Sequence, residues 1–297
     1  MNWFITGIFA TIAFGFFGLF YKLSTFQESS LSNLEIYFFT LIFAIILVYF
    51  RKVKLTFSKD AFVSGLCEGV ATITLLLSLV SNYILTIFPF VSFSSVFFFF
   101  IILASERPKL SNKQKILAAI GIILSITGLF IASTGTVGGI SSFLSNVNSN
   151  FLLSGFIISI GFGLWSYFSY VSIKKKTEVL NANFWMLIGS FVMALIAFAF
   201  IGAEKTTVIN LLDSRNIFLL LTSLSIVCGI VLTLKAYKTT TGKSKIQETI
   251  IAILSNAELI PLIFLSYFVL NEFITEGIVG AIVLFIGISL LKFADNA

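Results

Sequence analysis

The residue in this chain with the most chemistry to offer is an acid in a place where acids are costly. Glu258 lies in the run LSNAELIPLIFLSYFVLNEF, residues 254 to 273, which is apolar enough to cross a bilayer. It sits about eleven residues into the hydrophobic stretch, which at the helical rise puts the carboxyl roughly 15 Å deep. A carboxylate there costs about 2.5 kcal/mol or more, so it faces a bundle interior, a partner or water rather than lipid. Asn256 and Pro261 flank it: an amide that can donate to the carboxyl, and a ring that frees a backbone carbonyl from the helical ladder. Two chemistries are open to Glu258. It could bind a substrate, or it could take a proton on one side of the membrane and release it on the other. The bland alternative is an interhelical hydrogen bond contributing about 1 kcal/mol.

Glu68 is a second candidate, about seven residues into another apolar run and roughly 10 Å from the inner surface. It can act as a site, or simply snorkel or meet an inner-loop lysine. Trp165, Tyr167 and Tyr170 could line a pocket for a planar or amphipathic solute. Tyr21 and Tyr37 read better as interface aromatics near the outer surface. The run Phe97 to Phe100 reads as lipid-facing or packing mass. With no His, and with Cys67 and Cys228 expected in opposite leaflets, neither metal ligation, His-based catalysis nor a disulfide is expected. An intramembrane enzyme would need clustered acids or a Ser/Lys dyad on adjacent spans, and only Glu68 and Glu258 lie well inside spans. No catalytic residue, cofactor or metal is therefore assigned. A Walker A motif is also missing, which excludes ATP coupling within this chain.

The elements that must hold these residues follow from composition. The chain is 58% hydrophobic and 11% charged, with a mean hydropathy of +1.06, against roughly 25% charged residues in a soluble domain. It is expected to be an all-α integral membrane protein. Apolar runs fall at about 3 to 21, 33 to 50, 61 to 80, 82 to 104, 116 to 133, 151 to 173, 182 to 202, 217 to 236, 248 to 270 and 277 to 293, predicting ten transmembrane helices. The first reads as a retained helix, since no basic segment precedes it. With the N-terminus inside, 16 of the 19 basic residues fall in inner segments, leaving Lys22, Lys205 and Arg215 outside. Both termini are then cytoplasmic. The basic clusters are topology determinants first and lipid-headgroup contacts second, with no call for nucleic acid.

An uncharged Gly, Ser and Asn-rich linker, residues 134 to 150, separates residues 1 to 133 from 151 to 297, five spans each. Five is odd, so the second half enters the membrane inverted. Phe14-Gly15-Phe16-Phe17 is similar to Trp165-Ser166-Tyr167-Phe168, and Glu106 closes span four as Glu272 closes span nine. Each acid is followed by a helix with two glycines seven apart, Gly121 and Gly128 against Gly280 and Gly287, where a neighbouring helix can approach closely. Two inverted five-helix repeats are the reading. Ser92, fourteen residues before Glu106, is then the counterpart of Glu258, and the two are expected to face each other across the pseudo-two-fold.

These features resemble the drug/metabolite transporter superfamily, specifically its ten-helix EamA-type permeases, over essentially the whole chain. Gly15 followed by Lys22 resembles the family's W-G…K signature. ELIPLIFLSYFVLNE resembles its E-P-(V/L)…G-E pattern, with Glu258 and Glu272 fourteen residues apart. Departures are Phe14 for the usual Trp, Pro261 two residues late, Ser105 and Asn271 before the terminal acids, and Thr40 where many members carry Arg. The resemblance implies a secondary transporter of a small metabolite, an amino acid or related compound, working by alternating access as exporter or importer. Its partners would be the small-molecule substrate, membrane lipid and a proton, in a monomer or homodimer of the plasma membrane. Spans nine, four, six and one are expected to line the cavity, with Glu258, Asn256, Ser92, Trp165, Tyr170 and Glu68 as substrate- or ion-binding residues. A sugar or nucleotide-sugar permease is the rival within transport. A structural subunit with its core filled by Phe and Leu is the rival outside it.

Overall fold

A backbone crossing hydrocarbon must satisfy its own N–H and C=O groups, so long apolar runs without charge can only become helices or a closed barrel. The computed structural model takes the first course and has helices and no strand among the residues it describes, which are 2–24, 29–80, 88–106, 110–135, 149–201, 214–241, 244–257, 259–270 and 275–295. In chain order the helices are α1 (Trp3–Ser24), α2 (Ser29–Phe50), α3 (Lys59–Val80), α4 (Phe88–Glu106), α5 (Asn112–Gly135), α6 (Ser149–Lys174), α7 (Val179–Ile201), α8 (Ser214–Thr240), α9 (Lys245–Ser255), α10 (Leu259–Leu270) and α11 (Thr275–Asp295). Six of them, α1, α5, α6, α7, α8 and α11, are long and apolar enough to cross a membrane, and α2 and α4 carry the shorter apolar stretches Leu34–Phe50 and Phe93–Ser105. That is the pattern of an integral membrane protein.

The basic segments gather at one end of the bundle. Lys175 pairs with Asp60 at 2.8 Å, Asn181 holds the backbone of Thr56 from both sides, and Lys292 stands 4.5 Å from the Phe4 ring centroid. At the same end α2 and α6 stop in the same way. Lys52 and Lys176 adopt left-handed backbone (φ 50° and 64°), and the N–H groups of Val53 and Thr177 reach back to the carbonyls of Val48 and Ser172. Glycine usually fills such a helix-ending position. Lysine there costs roughly 1–2 kcal/mol of backbone strain, and it places a positive charge at the membrane edge.

Packing inside the bundle is reciprocal between the two halves of the chain. Helix α1 lies on α8 while α3 lies on α6; α4 packs on α6 as α9 and α10 pack on α1; α2 faces α7, α4 faces α9, and α5 faces α11. The last contact uses the four glycines singled out by their spacing. Antiparallel crossing sets Gly121 against Gly287 and Gly128 against Gly280, and a Cβ on Gly128 would stand 2.3 Å from the Leu284 backbone nitrogen. Helices α3 and α7 run parallel and as close, a Cβ on Gly65 meeting the Met186 carbonyl oxygen at 1.8 Å. Backbones this near gain dispersion contacts that side chains would hold apart, the main attraction available between helices already in lipid.

One element departs from the sequence expectation. The ninth span, predicted as continuous over 248 to 270, is two helices, α9 and α10, interrupted at Asn256 and Ala257. Pro261 supplies the reason. In a continuous helix its ring would collide with the carbonyl of Ala257 and its missing N–H would leave that carbonyl unbonded. As the third residue of a new helix it does neither.

The α5–α11 crossing generates a prediction. Gly128→Val forces side-chain volume against backbone that cannot yield, and overpacking of this kind costs about 1–3 kcal/mol or more. It should lower the unfolding midpoint in detergent clearly, whereas Ile123→Val on the exposed face of the same helix should leave it nearly unchanged.

Candidate functional site

The interruption lies in the interior. Every described residue from Glu248 to Ala257 is buried, so the carbonyls left over at the end of α9 need partners from protein. Some of those partners are local, the Ala257 N–H returning to the Leu254 carbonyl at 3.2 Å, and others come from the other half of the chain. The Thr11 hydroxyl of α1 donates to the Leu254 carbonyl at 2.7 Å, and the Ser95 hydroxyl of α4 to the Ala252 carbonyl at 3.4 Å. Asn256 caps α9. Its backbone N–H and its side-chain amide both return to the Ala252 carbonyl, the amide at 2.8 Å. One N–H of the Asn256 amide is thus committed to its own helix; Glu258 itself lies outside the described residues, as does the side chain of Ser92.

Glu68 corrects two expectations. It lies nine residues into α3, roughly 14 Å from Lys59 along the axis, and its recorded partners are hydroxyls rather than a lysine. The Tyr37 hydroxyl donates to Glu68 Oε1, as does Thr72 Oγ1 at 3.1 Å. Tyr37 is therefore no interface aromatic: it is 1% exposed, drawn inward by the acid it serves. The second carboxyl oxygen is buried beside the Ser190 hydroxyl, which is already committed to the carbonyls of Gly65 and Met186 at 3.1 Å each.

A third cluster went unnoticed in the sequence. Lys245 and Glu248, one turn apart at the start of α9, form an ion pair of 3.0 Å in which the carboxylate side chain is 0% exposed and the lysine 19%. Lys245 also donates to the Tyr170 hydroxyl and stands 4.8 Å from that ring's centroid. Tyr237 of α8 packs on Tyr170 with centroids 6.0 Å apart, within electrostatic reach of Glu248, and Phe98 of α4 closes on both rings. Phe98 thus belongs to the core, while Phe100 of the same run is 61% exposed toward lipid. Above the pair, the hydroxyls of Ser166 and Tyr237 approach one another, but neither makes a well-formed hydrogen bond. The Thr233 hydroxyl, one turn from Tyr237 on α8, is equally unused. Leaving such a group buried and unsatisfied costs about 1–3 kcal/mol each.

Trp165 and Tyr170 are both buried. Tyr170 joins the ion pair, whereas Trp165 sits on Phe14 and Phe162 with its indole N–H unpartnered. In the sequence Lys245 falls among the inner basic residues and Glu248 is the first residue of the ninth span, with neither singled out. The available signal was their one-turn spacing directly ahead of the unbroken apolar run TIIAIL, which forces that turn inward.

Comparison with known proteins adds the fold and no more. No family model matches the chain, and no curated protein matches it at a significant level. Among solved structures, one protein crystal structure superposes with a TM-score of 0.75 at 10% identity, over 98% of this chain and 96% of the other. The similarity is one of architecture across both whole chains. A crevice of about 520 Å³ between α4 and α6, lined by Phe90, Phe93, Phe97, Leu153, Phe156 and Ser159, opens on the apolar outer surface, away from these polar clusters.

The Tyr37–Glu68 contact predicts a coupled pair. Hydrogen bonds to a carboxylate contribute about 1.5–3 kcal/mol. Tyr37→Phe and Glu68→Gln should each lower stability in denaturant unfolding, and the double variant should cost less than the sum by roughly 1 kcal/mol or more.

Proposed function

We propose that the chain is a secondary transporter of the EamA type, moving a small metabolite by alternating access between two five-helix halves inserted in opposite senses, ten spans in all. The single observation that carries this reading is the broken ninth span. Its last carbonyls accept from Thr11 and Ser95 of the first half as well as from the N–H groups of Asn256 and Ala257, so the interruption sits where the halves meet. Discontinuous helices at such an interface offer helix ends to ions and polar solutes near the middle of a membrane. The reciprocal packing supports the inverted arrangement, as does the edge-to-face contact of 6.2 Å between Phe14 and Trp165, the residues equated across the repeats. Collection of the basic segments at one end supports a cytoplasmic location for both termini in a plasma membrane.

In this reading Glu258 follows the break and exchanges a proton as the halves rock, with Asn256 fixing the end of α9 beside it. Glu68 is a second buried acid between α2, α3 and α7. The chain performs no covalent chemistry and uses neither nucleotide nor metal. Amino acids or related compounds are the solutes expected from the resemblance, with sugars the alternative.

A specific observation favours a second reading, that of a non-transporting subunit: Phe14, Phe98, Trp165, Tyr170 and Tyr237 fill the middle of the bundle with aromatic mass. Against it stand the buried hydroxyls of Ser166, Thr233 and Tyr237, which a packing-only core has no reason to keep.

Counterflow in proteoliposomes decides between them. Preloaded unlabelled solute should drive uptake of its labelled form, an imposed pH gradient should change the rate, and Glu258→Gln should abolish that pH response. Flux that ignores the gradient and is unchanged in the variant removes the proton mechanism. Absence of flux for amino acids, sugars, nucleosides and polyamines alike favours the subunit.

A further inference from the structure

We propose that the strip formed by Lys245 and Glu248 of α9, Tyr170 and Ser166 of α6, and Tyr237 and Thr233 of α8 is a binding site for a small zwitterion, one that carries an ammonium and a carboxylate a few bonds apart, as a free amino acid does. The inference deepens the transport reading and rests on it.

Neutralising the start of α9 needs only an acid in its first turn. Here the acid comes with a lysine, two tyrosines and the hydroxyls of Ser166 and Thr233, and the carboxylate is withdrawn from solvent completely. A buried pair of opposite charges gains little over apolar packing for stability alone. It suits a ligand that brings the same two charges. The solute's carboxylate takes the place of Glu248 on Lys245, and its ammonium takes the place of Lys245 on Glu248. One ion pair becomes two, and no net charge enters the low-dielectric core. A cation would set a second positive charge against Lys245, and an anion a second negative charge against Glu248. Ser166, Tyr237 and Thr233 have hydrogen-bonding capacity unused by the protein, which further polar atoms of the solute can take up. The faces of Tyr170, Tyr237 and Phe98 offer an apolar wall, and their π-systems favour an ammonium beside them. Lys245 remains 19% exposed, and Lys174 stands 5.9 Å from the Tyr170 centroid, so the strip reaches toward the basic end of the bundle while Glu248 is shut away.

The test uses the purified full-length chain in detergent. Thermal unfolding and equilibrium binding are measured with leucine and phenylalanine, with their amides, which lack the carboxylate, and with their N-acetyl forms, which lack the ammonium. The parent amino acids should raise the unfolding midpoint by mass action, and both kinds of derivative should bind at least about tenfold more weakly. Glu248→Gln and Lys245→Gln should each weaken binding of the parent by a similar factor, and Tyr170→Phe by less. Derivatives that stabilise as well as their parents overturn the proposal, and this arm needs no variant to fold. Folded variants with unchanged affinity overturn it too, as does a protein indifferent to every amino acid. If counterflow of a sugar or polyamine persists in that last case, transport stands and this assignment of the site falls.

Discussion

A helix that ends inside a bundle is the constraint on which the rest of this structure turns. Ser255 closes α9 in a place from which water is excluded, and its last carbonyls must be bonded by protein or not at all. Pro261 favours the end here, because no continuous ladder can pass it undistorted, and the hydroxyls of Thr11 and Ser95 add to the bonds that Asn256 and Ala257 make. Those two hydroxyls come from α1 and α4, so the defect of one half is completed by the other. The arrangement ties the halves together through a few polar contacts instead of a seamless apolar face. Polar contacts of this kind can exchange partners when the interface shifts, which apolar interdigitation resists.

Charge is distributed around that centre in two regimes. At the basic end, Lys52, Lys175, Lys176 and Lys292 mark helix ends, and Lys175 pairs with Asp60. Within the bundle, Glu68 and Glu248 are held by specific partners: Tyr37 and Thr72 for the first, Lys245 for the second. Ion pairs of the first kind contribute little to stability and much to orientation. Removing Lys245 strands the Glu248 carboxylate where no solvent can reach it. The tight glycine crossings of α5 with α11 and α3 with α7 supply a rigid frame, leaving the polar groups along α1, α4, α6, α8 and α9 as the part with alternatives.

Much of this was legible because lipid narrows the choices. Hydropathy alone marks the helices, and the seven-residue spacing of Gly121 with Gly128 and of Gly280 with Gly287 identified an interface, though not that the two pairs would meet each other. The similarity of Phe14 and Trp165 was visible as pattern, and their contact followed only from the packing. Tyr37 was misplaced because an amphipathic ring near a span end suits a membrane interface equally well, and only the helix's rotation decides which side it faces. Lys245 and Glu248 were missed for a related reason. Hydropathy cannot say whether the first turn of a helix lies in headgroups or folds under neighbouring helices, and α9 does the latter, beneath Tyr170 and Tyr237. The interruption after Ser255 was hinted at by Pro261, yet a proline in a span is as compatible with a kink as with a break.

The central claim is that the two halves rock about the interface at the α9 break. Double electron–electron resonance measures this directly, with spin labels at Lys54→Cys in the first half and Lys238→Cys in the second, both exposed at the basic end, in protein lacking Cys67 and Cys228 and reconstituted in lipid. The account predicts at least two distance populations whose ratio changes when a transported solute is added. A single distance distribution, unaltered by any solute that the protein binds, would contradict it.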